Sequence, residues 1–325
     1  MIVSRAPTRL TLAGGGTDIQ SYYRRNGGFL VACAINKYIW VTATRGYYEY
    51  IHLKYSSEEK VQKVEQIQHP IFREAMDFCN QRDPIELASL SDVPSDCGLG
   101  SSSSFTVALL QALYSYQQIP TTQQKVAEDA CYIEIDRLGE PIGKQDQYIA
   151  ALGGLTCLTF STDGKVTAAR LGITDKAVDK LRQKLVLFYT GLQRRSSYVL
   201  TEVKQELEEG GRVVELLNIK KAMAYETKRL LEGGKLDKWG ETLNDYWRLQ
   251  RKVSNKISNP FIDNAYETAI KNGALGGKLQ GAGGGGFLMF YCPLDKKPIV
   301  RALSDMGLRE MEFDWDYNGV QSYVL

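Results

Sequence analysis

The chain has 325 residues, with 40 Lys and Arg against 38 Asp and Glu, a formal net charge of +2. That balance gives no basic footprint for coating nucleic acid, and a hydrophobic fraction of 43% excludes a disordered chain. The length predicts about two domains, and no apolar run approaches the ~18 residues of a membrane helix.

The first half reads as strand-rich. β-Branched and aromatic residues predict strands over 9–13, 28–45 and 50–53. A helix is expected over 69–79 and a strand over 85–90. Residues 101–116 carry Phe105, Leu109, Ala112 and Leu113 on one helical stripe. A further helix is expected over 122–138, then strands over 155–160 and 184–189. Beyond a boundary near residue 180 the pattern turns helical, over 198–209, 213–231, 236–254 and 260–272. Gly210-Gly211 and Gly233-Gly234 break the run, and Asn259-Pro260 opens the last helix. Strands at 274–279 and 287–291 bracket a glycine run, and a helix follows over 298–306. The chain ends in an expected hairpin. Phe313, Trp315 and Tyr317 alternate with Asp314 and Asp316, and Asn318-Gly319 turns into 320–325. The two aspartates are expected to face water.

Met1-Ile2-Val3-Ser4-Arg5 lacks the charged-then-apolar order of a secretory signal, so the cytoplasm is the expected compartment. Six cysteines stand singly without a CxxC, and only His52 and His69 are present, a poor basis for a zinc site. They read as reduced thiols packed in the core. No feature sets an oligomeric state.

Thirteen of the 30 glycines fall in three short segments. Clustering of this kind marks backbone that approaches something closely. The sharpest segment is Pro94-Ser95-Asp96-Cys97-Gly98-Leu99-Gly100-Ser101-Ser102-Ser103-Ser104, running into a helix. The first helical turn leaves backbone N–H groups unpaired under a positive dipole end, and glycine admits phosphate oxygens to them. The alternative is a plain serine N-cap after a glycine turn, although four serines exceed what one cap needs. Walker A is absent. Gly281-Ala282-Gly283-Gly284-Gly285-Gly286 fits G-x-G-x-x-G, but the apolar run Phe287-Leu288-Met289-Phe290-Tyr291 after it reads as a strand, where a dinucleotide fingerprint opens a helix.

Three motifs in order resemble the GHMP small-molecule kinases. They are Arg5-Ala6-Pro7-Thr8-Arg9-Leu10-Thr11-Leu12-Ala13-Gly14-Gly15-Gly16-Thr17-Asp18, the loop Gly98-Leu99-Gly100-Ser101-Ser102, and Gly277-Lys278-Leu279-Gln280 with its glycine run. Ala13-Gly14-Gly15-Gly16-Thr17-Asp18, Ile257-Ser258-Asn259-Pro260 and Gly273-Ala274-Leu275-Gly276-Gly277-Lys278 are most similar to the heptose 7-phosphate kinase branch. The resemblance implies an α/β (α+β) chain of two domains. Residues 1–180 would be an ATP-binding domain like ribosomal protein S5 domain 2, and 181–325 a ferredoxin-like domain, with the cleft between them. It also implies transfer of the ATP γ-phosphoryl to the anomeric hydroxyl of a heptose 7-phosphate, with Mg²⁺ and with no nucleic-acid or membrane partner. Relatives act on other sugars, such as fucose or an unphosphorylated heptose, and some serve as sensors without catalysis.

By the same resemblance Asp146 is the catalytic base and Arg9 the cation beside the reacting hydroxyl. Gly98, Leu99, Gly100, Ser101, Ser102 and Ser103 bind the phosphates. Glu134, twelve residues before Asp146, holds Mg²⁺ with a serine hydroxyl; Ser102 is preferred, with Ser101 and Ser103 open. Asp18 binds a sugar hydroxyl, and Gly15 and Gly16 stand where galactokinase has a Glu-His pair, a loss of two polar sugar contacts that argues against galactose as the acceptor. Gly283 and Gly284 line the substrate side. A sugar phosphate needs a second anion site, and Arg194, between a strand and a helix, is the candidate, with Lys37 a second. Tyr246 and Trp247 read as core aromatics.

Overall fold

The structure is a computed structural model, and it describes residues 1–193 and 197–325. In chain order, β1 (Ile2–Ala13), α1 (Gln20–Asn26) and β2 (Gly28–Thr44) precede a hairpin of β3 (Ile51–Lys54) and β4 (Glu58–Val61). Next come α2 (Pro70–Phe78), β5 (Glu86–Ser91), α3 (Ser101–Tyr116), α4 (Gln123–Cys131), α5 (Gln145–Leu152), β6 (Leu155–Phe160), β7 (Val166–Arg170) and α6 (Asp175–Lys184). The second half holds β8 (Leu185–Tyr189), α7 (Ser197–Glu209), α8 (Arg212–Glu232), α9 (Leu236–Arg251), α10 (Pro260–Lys271), β9 (Gly276–Leu279), β10 (Phe287–Tyr291), α11 (Lys297–Asp305), β11 (Arg309–Glu310) and β12 (Gln321–Val324).

Two sheets organise these elements. The larger runs β12-β1-β2-β5-β3-β4, with β6 and β7 continuing from the other half of the long β2; the smaller runs β11-β8-β10-β9. All described pairings are antiparallel except β3 with β5. The β1–β2 register shifts at Pro7/Thr8 and again at Thr11/Ala13. Such bulges bend a strand and re-aim its side chains. Here they flank Arg9 and Thr11, while Leu10 and Leu12 stay in the core. The first shift skips Asn36 and Lys37, and Lys37 accepts the Thr8 hydroxyl through its carbonyl, away from the cleft.

Local chemistry sets the helix starts. His69 accepts from the Phe72 N–H with Pro70 in the first turn, and Asn259 caps α10 in the same way at 3.0 Å from the Ile262 nitrogen. The helix expected over 122–138 keeps its α geometry only to Cys131 and widens into a π turn over Tyr132–Arg137. That wider turn carries a buried Glu134, with Asp136 left exposed. All six cysteines are free and buried.

The end of the chain differs from the expected hairpin. Trp315 bridges Ile35 of β2, while β12 pairs with β1, so the two segments join different strands of the larger sheet. Asp316, expected in water, is 3% exposed. Its carboxylate accepts from the backbone N–H groups of Asn318 and Gly319 and from the Tyr38 hydroxyl, which closes the turn from within. The boundary expected near residue 180 falls inside α6, between β7 of the larger sheet and β8 of the smaller.

Candidate active site

Arg9 is the hub. Its side chain is buried, and its guanidinium donates to both Asp146 oxygens, from Nε at 2.8 Å and Nη2 at 2.9 Å; Nη1 donates to the Gly98 carbonyl at 2.6 Å. Its backbone N–H donates to the Leu99 carbonyl. One residue of β1 thus holds both the acid at the start of α5 and the loop before α3. The fork geometry of Arg suits this two-point grip.

The loop is shaped by glycines at positive φ. Gly98 and Gly100 sit at φ 78° and 77°. A Cβ on Gly100 would lie 3.0 Å from an Asp146 oxygen, and one on Gly98 would lie 2.5 Å from the Gln280 carbonyl. Gly100 caps α3 without a side-chain bond, and the first intrahelical bond runs from the Ser104 N–H to the Gly100 carbonyl. The N–H groups of Ser101, Ser102 and Ser103 have no acceptor among the described residues and open on the cleft. Leu99 is buried behind the loop. Ser104 is anchored to the Pro7 carbonyl.

Glu134 lies beside this helix mouth, 1% exposed, and accepts from Gln147 at 2.6 Å, with the Ser103 and Thr106 hydroxyls nearby favouring its charged form. Burial raises its carboxyl to about 7. Ser102 faces the open cleft, whereas Ser103 is buried against Glu134. No lysine or arginine pairs with Glu134 among the described residues, and the buried Gln147 Oε1 beside it has no partner. A set made only of oxygens and short of positive charge fits a hard dication that keeps most of its waters.

Asp18 is also buried. It accepts from the Gly16 N–H at 2.9 Å and the Gln145 N–H at 3.1 Å, and burial, with Asp146 nearby, raises its carboxyl. A Cβ on Gly143 would fall 1.9 Å from its Oδ2. Gly15, Gly16 and Gly283 line the same cleft. Gly284 does not; its N–H is spent on the Ile257 carbonyl. Arg194 lies outside the described residues.

The glycine run braces the loop backbone to backbone: a Cβ on Gly281 would lie 2.7 Å from Gly98 Cα, and one on Gly286 would lie 2.1 Å from the Cys97 carbonyl. A strand, β10, follows it, so the dinucleotide reading is excluded by context. The resulting cavity, about 470 Å³, joins the helix mouth, Arg9, Asp146 and Asp18 in one space.

Several cleft residues have no site role assigned from the sequence. Gln280 accepts from the Thr11 N–H, and Lys278 donates to the Thr11 carbonyl at 2.9 Å, so β9 and the residue after it grip β1 on both sides of one residue. Their signal was present: both belong to the third motif, Lys278 inside the short buried strand and Gln280 just after it. Tyr246 is a core aromatic, as expected, but it also lines the cleft and accepts the Gly14 N–H. Lys220 enters from α8, and nothing in its local sequence marks it.

Comparison with known proteins agrees with this arrangement. The GHMP kinases N terminal domain matches residues 70–154, and the GHMP kinases C terminal domain matches residues 226–307. The D-glycero-alpha-D-manno-heptose 7-phosphate kinase of Campylobacter jejuni is 30% identical, over 99% of this chain and 98% of that protein. The galactokinase of Pyrococcus furiosus is 24% identical, over 97% and 95%. The crystal structure of a D-glycero-D-manno-heptose 1-phosphate kinase from Bacteroides thetaiotaomicron superimposes with a TM-score of 0.82 at 25% identity, covering 100% of this chain and 99% of that one.

Proposed function

The chain belongs to the GHMP kinases, and from that premise we propose that it transfers the γ-phosphoryl group of ATP to the anomeric hydroxyl of a heptose 7-phosphate, giving the 1,7-bisphosphate. The observation that carries the reading is the bidentate Arg9–Asp146 pair facing an uncapped helix mouth across one cleft. Phosphoryl transfer is mostly positioning and electrostatics, and both parts are accounted for by this chain's own groups.

The N–H groups of Ser101, Ser102 and Ser103 hold the phosphates, as anions sit at helix starts. Asp146 keeps a free lone pair on each oxygen while Arg9 holds it in place, so it can orient the acceptor hydroxyl and take its proton. Arg9 then stabilises the alkoxide and the spreading phosphoryl charge. Glu134 and Ser102 would hold Mg²⁺, with Ser103 orienting the carboxylate; when bound, the ion neutralises charge on the phosphates. Asp18 binds an acceptor hydroxyl, and Gly15, Gly16 and Gly283 leave room for the ring. Residues 1–180 form the nucleotide unit and 181–325 the second unit, with the last strand returned to the first sheet.

The relatives' names differ on the acceptor: one names a 7-phosphate and the other a 1-phosphate. A 1-phosphate leaves no anomeric hydroxyl for Asp146, so the 7-phosphate is the reading adopted. The test is ADP release with heptose, its 7-phosphate, its 1-phosphate and fucose. Fastest turnover with the 7-phosphate and none with the 1-phosphate supports the proposal; turnover confined to fucose or to the 1-phosphate overturns it.

A further inference from the structure

Lys220 has no part in the chemistry above, yet it stands in the same cleft. It projects from the middle of α8, is 6% exposed, and makes no hydrogen bond or ion pair among the described residues. Its ammonium lies 5.3 Å from the centre of the Tyr246 ring and 3.9 Å from where a Cβ on Gly16 would sit. Lys278 lies 5.6 Å from the same ring, but its ammonium is spent on the Thr11 carbonyl. Burial lowers Lys220 to about 8, and the Asp18 charge opposes that shift.

Lys220 and Asp18 thus meet at Gly16, where the ammonium stands beside the glycine whose N–H Asp18 accepts, and they do not close to an ion pair. Each Asp18 oxygen has accepted one backbone N–H and keeps lone-pair capacity, and the lysine keeps its three donors. A buried ammonium with no acceptor is costly to keep unless a ligand supplies one. The ligand between this pair must accept from the lysine and donate to the carboxylate. A hydroxyl does both. A phosphate would satisfy Lys220 but be repelled by Asp18.

We propose that Lys220 is a specificity-determining residue that, with Asp18, reads one hydroxyl of the acceptor sugar and not its phosphate. The inference rests on the sugar-kinase reading for the identity of the ligand. It makes Lys220 a donor to the hydroxyl oxygen while Asp18 accepts that hydroxyl's proton. The configuration at that carbon then decides whether both contacts form, so an epimer loses both together.

The test is calorimetric binding of two probes, D-glycero-D-manno-heptose and its 7-phosphate, to the unmodified chain, Lys220→Met and Lys220→Gln. Lys220→Met is expected to weaken both probes by about tenfold or more and to the same degree, with ADP affinity unchanged and the melting temperature held or raised. Lys220→Gln, which keeps an N–H donor, recovers part of the loss. Loss confined to the 7-phosphate would make Lys220 a phosphate ligand and overturn the proposal. So would binding within twofold of the unmodified chain, or a Lys220→Met variant that falls in melting temperature or fails to fold, since that marks a structural lysine. Turnover is read separately. An unmodified chain that binds both heptoses with this pattern yet releases no ADP removes the kinase reading and leaves the Lys220 assignment standing. A chain that binds neither heptose overturns the assignment.

Discussion

At the scale of single residues, the cleft works because charges are held apart from solvent but not all paired. Asp146 is fixed by Arg9, and its neutral replacement should show what its charge does. Asp146→Asn keeps an acceptor for Arg9 Nε but loses the carboxylate proposed as the base, so kcat is expected to fall by about 10²- to 10⁴-fold with ATP affinity retained. Steady-state kinetics beside nucleotide binding checks this, and retained turnover would remove Asp146 from the role. Glu134 makes a prediction about pH. Its carboxyl is raised from 4.5 to about 7 by burial, so between those values the folded chain holds a proton that the unfolded chain has released. The stabilisation is complete below about pH 4.5 and is lost as pH rises toward 7, by up to about 3 kcal/mol. Thermal melts without Mg²⁺ should therefore fall in Tm across that window. Glu134→Gln should flatten the fall, stand higher at pH 8, and lose the extra stabilisation that Mg²⁺ gives with ATP. Arg9, Asp146 and the serine loop could be singled out because they stand in motifs that resemble the family, and the structure brings them to one cleft. Lys220 could not be, because a lysine inside a long mixed helix looks like any solvated one until the fold buries it.

At the scale of elements, glycines decide how closely segments approach. Gly286 has φ 93°, and a Cβ there would meet the Cys97 carbonyl at 2.1 Å. Gly273 has φ 105° with nothing near such a Cβ. Gly273→Ala is expected to cost about 1–2 kcal/mol of backbone strain alone. Gly286→Ala should cost distinctly more and also weaken ATP binding, because it pushes on the loop before α3, the proposed phosphate site. Denaturant melts and ADP titrations of the pair separate the two effects; equal losses would count against the bracing role. Helices such as α2, α3 and α10 were legible from their caps, glycine turns and apolar faces. α6, β4 and β7 were not expected from the sequence, and the short α1 and α5 were missed as well. The reason is physical: neither has a side-chain cap, and α5 is held by Asp18, Glu134 and Arg9, which are distant in sequence. The π turn at Tyr132–Arg137 was likewise invisible, because the sequence reads as an uninterrupted helix.

At the scale of the whole molecule, two sheets meet at β1, and the chain's last strand returns to it. Asn36 and Ala34 of β2 exchange backbone bonds with Asp314 and Asp316, and β12 covers the edge of β1. Removing residues 313–325 is expected to expose that edge, lower the melting temperature and promote aggregation, even though the stretch supplies no cleft residue. Melting and light scattering of the shortened chain check this; an unchanged Tm would refute it. The cleft also joins both layers, so ADP and heptose 7-phosphate together should stabilise the chain by more than either alone, about 2.7 kcal/mol for each ligand present at 100 times its dissociation constant. The sequence by itself determined the family, through three motifs in order, and most long elements, through glycine turns and side-chain period. Only the tertiary structure decided that Asp316 is buried, that the final strands part company, and that Lys220 is buried in the same cleft as Asp18. Those facts rest on which distant segments share a desolvated volume, and no local pattern in the chain records that.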